Sequence, residues 1–593
     1  MLFSGSTYAA RSTVSRARPS LLWGAMALAG AIVVPPAIAE TGNPYLAQSY
    51  NSVTHWDHGG AQNAKIAVPR GFYDATPASE QLVPNESVSL PLLSDKVNGK
   101  DVYWWWAGFS LRKLTEDHGQ LVELAHADIP VKLPNYTPVT PEQRREQAAK
   151  VQSFLDTKDE KGLLDYMKSQ PNRMLSAASD QIANGAVYAV LTRDDAFIGC
   201  SGRTVFRIDS ADTKNPASPL KLTKLITLPA NLFDNEKAKH GTRLPVDMLF
   251  GLSITHNGFL VVNTLGGKVI TLDRHTLDVI DSYTVAGNDE LFLNSFATGA
   301  DAHGGSVYVA SNTTMYRLVV DAHGKIHDDE ASGAWKAPYE RGERMPPPKL
   351  ADGTGSTPSL MGFGPKDDKL VVITDGAKKM HLVAFWRDQI PAGWKQKPGM
   401  LSPRIADQRE VDLGPGIDVV QSEQQVSVFG NYAFVVNNIA PDDARSAPLD
   451  SAPYYVNLLL GATRPAGAGA ATMIWQQDKH AWKQLWARPD VASISVVPMI
   501  SGGSHMAIID GYFTKRWNDR QYIGMDLDTG KTVMTIRGGT DPIFNGMYSP
   551  IKVDLQGHFL YGTAFGLLRL DANAMRRIAN PDTSPAATVQ GTH

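Results

Sequence analysis

The feature that most constrains this chain is a hairpin unit that recurs downstream of residue 185. One copy reads Met248-Leu-Phe-Gly-Leu-Ser-Ile-Thr, a turn at His256-Asn-Gly, then the strand Phe259-Leu-Val-Val-Asn. A turn at Gly266-Gly267 follows, then Lys268-Val-Ile-Thr-Leu, and Val279 to Val285 closes the unit. Asn-Gly and Gly-Gly between apolar or alternating runs are strong hairpin signals, because tight hairpin turns need positive φ. Comparable first strands are expected near Val187, Phe292, Ser356, Ile417, Val491 and Asn545, at intervals of 44 to 74 residues. Second strands look alike: Val307-Tyr-Val-Ala, Leu370-Val-Val-Ile, Ala433-Phe-Val-Val, Met506-Ala-Ile-Ile and Phe559-Leu-Tyr-Gly. A unit of this kind cannot bury its apolar faces alone; it needs neighbours of the same kind.

Seven such units over residues 185–571 predict an all-β propeller of four-stranded blades. Residues 85–135 read as a further blade, complete or partial: Val102-Tyr-Trp-Trp-Trp, Phe109 to Leu114 and Leu121 to Ala125 are its strands. It is complete if Val88 to Leu93 supplies an inner strand. Otherwise it lends strands to the last unit, which ends weakly after Leu570-Asp571. Seven and eight blades both remain open, but a ring needs some closure of its edges. Residues 136–184 are expected to be a small helical insertion, with Thr140 as N-cap, Pro141 at the first helical position and Gln143 at the third. Val151, Phe154 and Leu155 share a helical face, and Leu163, Leu164 and Met167 suggest a second helix. Residues 337–350 and 440–469 read as long loops. Residues 40–84 form an N-terminal extension and 572–593 a tail.

The N-terminus reads as a secretory signal over residues 1–39. Arg11, Arg16 and Arg18 precede an apolar run of 14 residues, Leu21 to Val34, and Ala37-Ile38-Ala39 offers a cleavable bond before Glu40. The run is short for a membrane span of about 20 residues and Pro35-Pro36 interrupts it, so a periplasmic or secreted protein with no membrane span after cleavage is expected. The formal net charge is −3, and removing those three arginines gives −6. With no basic stripe, nucleic acid is not expected as a partner. Cys200 is the only cysteine. It excludes an internal disulfide, a C-x-x-C-H haem attachment and a Cys-rich zinc site, and it ends the apolar run Ala196 to Cys200, as a buried structural thiol would.

At Gly524-Met-Asp526-Leu-Asp528-Thr529-Gly530 the chain resembles the blade signature of PQQ-type (quinoprotein-like) propellers. Val269-Ile-Thr-Leu-Asp273-Arg-His-Thr276 is similar to the surface-layer, YVTN-type repeat. In both families an Asp and a Thr-Gly or similar turn close the hairpin between third and fourth strands. The resemblance implies a bacterial exported propeller and admits a quinone (PQQ) as cofactor. Met534 stands where the quinoprotein motif has a blade-docking Trp, and the paired cysteines and fused haem domain of quinoprotein alcohol dehydrogenases are absent.

In a propeller the inner strands line a central channel whose mouth is concave and reached by several blades. Polar residues near the inner-strand starts are therefore the candidate ligand contacts: Asp247, Ser253, Glu290, Asn294, Thr357, Asp418, Gln421, Glu423, Ser493, Asn545 and Tyr548. Converging carboxylates there suit Ca²⁺ or general acid–base work; singly, each also suits turn bracing. His55-Trp-Asp57-His58 is the densest potential metal cluster, for Cu or Zn if a third imidazole came from His256, His303, His505 or His558. Three of those partners, His256, His303 and His558, sit beside turn glycines and read as surface residues. Trp104-Trp105-Trp106 suits sugar stacking, but alternation along a strand favours packing between blades. No nucleophile elbow or phosphate loop is present. Two functions remain: an exported protein binding a small molecule or cofactor at the channel mouth, an oxidoreductase if an enzyme, or a non-catalytic scaffold for an envelope or protein partner.

Overall fold

The computed structural model describes residues 42–47, 63–64, 67–87, 92–130, 136–172, 174, 188–242, 246–301, 304–343, 349, 352–439, 465–494, 497–546, 549–554, 556–580 and 587–588. Residues Met1–Ala39 form one unit and Glu40–His593 a second. The second is built from successive antiparallel meanders, each strand pairing with the next in sequence. The 92–128 sheet runs Leu92–Val97, Lys100–Trp106, Ser110–Asp117 and Gln120–Asp128. The same four-strand pattern recurs over 189–227, 249–284 and 359–410, and over 297–327 with Trp335–Pro338 added alongside Thr314–Val320. The meanders at 427–493 and 499–539 join into one larger sheet, because Ala481–Ser493 runs on to pair with Met506–Phe513. Among the described residues, no helix is long and apolar enough to cross a membrane.

The last sheet is composite. Lys552–Val553, Phe559–Gly562 and Gly566–Leu570 supply three strands, and Glu80–Pro84, from the other end of the chain, supplies the fourth. Its register runs from Glu80 opposite Leu570 to Pro84 opposite Gly566. Closure therefore comes from the N-terminal extension, and the 92–128 stretch keeps a complete sheet of its own with Leu92–Val97 innermost.

Apolar faces interlock in chain order, as expected when each meander has two faces to hide. Trp106 meets Phe197 and Phe206 of the next sheet edge-on, and Leu252 and Ile254 continue that core. Val261 and Val269 pack with Val307 and Leu318, Tyr308 with Leu360 and Phe385, and Leu370 and Leu382 with Val428 and Met473. Phe434 and Trp486 pack with Ile509 and Ile523, then Tyr522 with Phe559 and Tyr561. Tyr103 and Trp105 finally pack with Leu560, Leu567 and Val83, joining the last sheet to the first. The ring is closed, which makes the architecture a β-propeller. Trp104, Trp105 and Trp106 are 0%, 0% and 3% exposed, so they hold neighbouring sheets together and leave no face for a sugar.

The two motif stretches form the same turn. Asp526 Oδ1 accepts from the backbone of Asp528 and Thr529, and Gly530 N donates to Asp526 O at 2.9 Å. Asp273 Oδ1 accepts from His275 and Thr276, and Leu277 N donates to Asp273 O at 2.9 Å. Gly530 has φ +67, and a Cβ there would lie 2.6 Å from the Trp486 indole of the preceding meander. Trp486 Nε1 also donates to Leu527 O at 2.8 Å. Docking onto this turn thus falls to Trp486, while Met534 is buried in the core. Gly530→Ala is expected to cost about 2–4 kcal/mol, combining left-handed strain with overpacking. Gly202→Ala, at φ +57 with open space around it, should cost about 1 kcal/mol. Urea unfolding of both variants checks this; equal losses would remove Trp486 from the explanation.

The insertion forms α1 (Pro141–Thr157) and α2 (Glu160–Ser169), and the Thr140–Gln143 capping box is present. Arg144 is buried. Its Nε donates to Asn85 at 2.6 Å, its Nη1 to Gln147 at 2.8 Å and its Nη2 to Ser87 O, and burial pushes its pKa down to about 9. Val151, Leu155, Leu163 and Met167 share a core with Ile543 and Phe544. The helices therefore sit over the seam where the two ends of the chain meet. Cys200 is buried, with its thiol pushed up to about 12 by burial.

Candidate functional site

Inner strands in this molecule are short, such as Ala189–Leu191, Ser359–Met361 and Ser427–Phe429. The segments just before them therefore set what reaches the centre. Tyr188, immediately before Ala189–Leu191, donates its hydroxyl to Asn294 Oδ1, which lies just before Ala297–Asp301. The same oxygen takes Thr357 Oγ1 at 3.0 Å and Ser295 N at 2.9 Å. Asn294 Nδ2 donates to Gly355 O, and Asn263 Nδ2 holds the Asn294 carbonyl at 3.0 Å. Gly355 leaves no room for a side chain because the Glu423 carboxylate lies against it. Lys349 Nζ sits 3.1 Å from Glu423 Oε1 and donates to Gly353 O at 2.7 Å.

Segments leading into four sheets thus meet at one polar cluster. The Lys349 and Glu423 side chains are 1% and 9% exposed. Burial raises the Glu423 carboxyl, and the Lys349 ammonium pulls it back only in part. Burial likewise raises the Tyr188 phenol well above its ordinary value, against the Thr357 hydrogen bond. A buried ion pair is a weak source of stability, since desolvation offsets its attraction. Its chemical content is an ammonium donor and a carboxyl group with raised proton affinity, fixed side by side.

Of the residues expected at the channel mouth, Asn294, Thr357 and Glu423 come together here. The others do not join them. Asp247 is a brace, accepting from Asp234 N at 2.8 Å and Gly266 N at 2.7 Å. Glu290 is saturated by Ser311, Thr313 and Tyr316 at 2.7–2.9 Å. Ser253 lies inside Leu249–Ile254 with its side chain buried. Asp418 is exposed, nine residues before Ser427–Phe429, so the inner strand expected at Ile417 starts ten residues later. Gln421 is buried and donates to Gly376 O at 2.9 Å and to Ala377 O. Ser493 is not near an inner-strand start. It ends Ala481–Ser493, an outer strand that passes through Pro489 and crosses to Gly511 of the next meander. Asn545 is buried, following the short helix Pro542–Phe544. Tyr548, His55, Asp57, His58 and His303 lie outside the described residues. Tyr188 and Lys349 belong to the cluster but carried no signal in the sequence: one ends an uninformative stretch, the other ends a Pro-rich loop.

Two groups of described residues gather a histidine with carboxylates, Glu116–Asp554–His558 and Glu340–Asp375–His381. Both are hairpin turns closed by an Asp. Asp554 Oδ1 accepts from His558 N and its Oδ2 lies 2.8 Å from His558 Nδ1; Asp375 does the same with His381 at 2.8 and 2.7 Å. Burial lowers both imidazole pKa values, and the adjacent Asp carboxylates outweigh it, so both are raised overall. At Glu116 the Arg569 guanidinium, 2.9 Å away, already supplies a positive charge. His558 is buried, not at the surface as its turn position suggested. The turn lies under Glu116 and Asp571 of neighbouring segments. His256 is also largely buried, which pushes its pKa down to about 4. His505 faces Asp528 at 3.0 Å.

No family model matches the chain. It is 30% identical over 325 residues to an uncharacterized protein of Archaeoglobus fulgidus; the match covers 54% of this chain and 60% of that relative's length. Among solved structures, the β-propeller domain of Cps50 (Swd1) from Myceliophthora thermophila is 9% identical, covering 64% of this chain and 93% of its own with a TM-score of 0.34. A proposed 6-phosphogluconolactonase from Bacteroides fragilis is 10% identical, covering 79% of this chain and 95% of its own with a TM-score of 0.36.

Proposed function

We propose that this chain is an exported, eight-bladed propeller that binds a small polar molecule at the centre of the ring, against Lys349 and Glu423. One observation carries this reading: segments preceding four separate sheets deliver Tyr188, Asn294, Thr357 and Glu423 to one place, where Lys349 joins them. The Asn294 hydrogen bonds are the rigid support, and the ammonium–carboxyl pair is the contact that can exchange partners with a ligand. Counting each four-strand meander once, the composite last sheet included, supports eight blades. Export is supported by the leader composition over residues 1–39.

The donor set does not fit Ca²⁺, which needs six to eight oxygens. Asn294 Oδ1 already takes three donors, and Lys349 neutralises Glu423. A ligand offering carbonyl or carboxylate oxygens to Lys349 fits, and the PQQ-type resemblance makes a quinone one such molecule, with oxidoreductase chemistry as its consequence. The fold itself does not select an activity. Denaturing the purified protein and identifying the released small molecules by mass spectrometry, with an absorbance spectrum taken first, tests the reading. A stoichiometric organic ligand, reduced about tenfold in Glu423→Gln, is the expected result. No released ligand, or equal yields from both proteins, would remove the basis for it.

A further inference from the structure

Where the 297–338 and 359–410 sheets meet, an imidazole and two carboxylates from separate segments come to one point. Glu340 lies two residues beyond Trp335–Pro338 of the first sheet. Asp375 follows Leu370–Thr374 and His381 opens His381–Trp386, so both sit at one hairpin of the second sheet. Gly376 N donates to Glu340 O at 3.0 Å, which fixes the two segments against each other. His381 Nδ1 is 2.7 Å from Asp375 Oδ2 and 3.9 Å from Glu340 Oε2, and the three atoms lie within 4.8 Å of one another. The Asp375, His381 and Glu340 side chains are 0%, 19% and 48% exposed, so the group is held at its base and open past Glu340.

Second contacts orient these groups, as metal ligands require. Asp375 Oδ1 accepts from His381 N at 2.8 Å and Ala377 N at 3.2 Å, which leaves Oδ2 for the site. Gln408 Nε2 donates to Glu340 Oε2 at 3.3 Å, while Gln408 Oε1 is buried with no partner. A half-turn of that amide exchanges one long hydrogen bond for a further oxygen donor beside Glu340. Glu410, the cross-strand partner of His381, adds a third carboxylate to the surroundings. Among the described residues, His381 is the only ion-pair partner of Glu340 and Asp375. At Glu116–Asp554–His558, by contrast, the Arg569 guanidinium lies 2.9 Å from Glu116 and 2.6 Å from His558 Nδ1 and takes the place of a cation. The Asp321–His327 pair, at 3.0 Å, is a plain turn brace that no second described carboxylate joins within the same reach. Ligand atoms at about 2.0–2.2 Å from a tetrahedral zinc ion stand about 3.3–3.5 Å apart. The observed 2.7 and 3.9 Å separations bracket that value, so small side-chain rotations suffice. An imidazole with two carboxylates suits Zn²⁺ better than Mg²⁺ or Ca²⁺, which take all-oxygen shells.

We infer that Glu340, Asp375 and His381 form a zinc site that clips these two sheets together, with Gln408 or water as the fourth ligand. The site needs no ligand at the central cluster, so either can fail without the other. The full chain, stripped with EDTA, is dialysed against graded ZnCl₂, and bound zinc is measured by elemental mass spectrometry. His381→Gln, Glu340→Gln and His327→Gln are carried in parallel, and differences from the unaltered chain cancel any zinc held by its other histidines. His381→Gln should hold one zinc fewer per chain. Glu340→Gln, at an exposed position that folding does not depend on, should bind that zinc at least about tenfold more weakly. His327→Gln should match the unaltered chain. Zinc should also raise the melting temperature of the unaltered chain but not that of His381→Gln, since only a folded site binds it. If His381→Gln fails to fold, Glu340→Gln alone decides. Zinc content and affinity unchanged in either His381→Gln or Glu340→Gln would overturn the site, as would an equal loss in His327→Gln or equal stabilisation by MgCl₂. His381 would then be a protonated turn brace and nothing more.

Discussion

Lys113→Met is expected to destabilise the protein by about 3–5 kcal/mol, the range seen when one partner of a buried ion pair is removed. Lys113 points out of the 92–128 sheet into its neighbour and is 0% exposed. Its ammonium donates to Asp195 at 2.8 Å and to Ser210 Oγ at 2.7 Å, and lies 4.7 Å from the centre of the Trp104 ring. Removing the cation strands the Asp195 carboxylate, 3% exposed, beside apolar rings. Changing both residues, Lys113→Met with Asp195→Asn, should restore much of the loss, because the pair then leaves no charge of its own buried. Urea midpoints for the single and double variants, with m-values compared, are the measurement. A loss below about 1 kcal/mol for the single change would mean that water reaches Asp195 and that the pair does not tie these two sheets together.

A second large effect is expected at the seam. A chain beginning at Asn85 lacks Glu80–Pro84, and with it Val83 and Leu82 from the packing around Gly566–Leu570. It also lacks Gly71–Asp74, which pairs with Thr532–Gly539 and Arg576–Arg577. Half-buried aliphatic side chains such as these contribute about 1 kcal/mol each, and the ladder hydrogen bonds of the two lost strands about 0.5–1.5 each. The loss exceeds 5 kcal/mol on those figures, comparable with the whole stability of an ordinary domain. The truncated chain should be largely insoluble, with Gly566–Leu570 an open edge, and a synthetic peptide covering 67–84 should recover soluble protein. A truncated chain that is soluble alone and melts within about 2 °C of the full one would show that the ring closes by other means.

What could be read from the sequence follows from strand length and burial. Second strands such as Leu370–Thr374 and Met506–Phe513 are fully buried apolar runs flanked by turn residues, and a pattern reading places them correctly. Inner strands have three residues or fewer in several sheets, too few for alternation to register. The starts assigned near Ile417 and Val491 accordingly fell ten and eight residues early. Ala481–Ser493 continues through Pro489 to the next meander, although proline lacks a ladder donor. The closing strand, Glu-Gln-Leu-Val-Pro, has no periodicity of its own; only its partner at 566–570 makes it a strand. Of the polar residues before inner strands, Asn294, Thr357 and Glu423 meet in the central cluster. Asp247, Glu290 and Gln421 look the same in sequence but brace loops, because whether a turn oxygen is consumed locally depends on backbone groups that residue type does not specify.

The composite last sheet also makes the finished ring a test of a chain that runs through to Leu570. Glu80 and Leu570 pair across 490 residues, so the first strand of the seam to be synthesised waits for almost the last. Joining ends that far apart costs about 5–6 kcal/mol of chain entropy on a logarithmic law, and the gain arrives only when Gly566–Leu570 exists. A product of premature termination keeps many good hairpins but has no mate for its leading edge, and stays open to proteolysis or to a neighbour's unpaired strand. Quality control over length is thereby written into the topology, with no dedicated residue needed to enforce it.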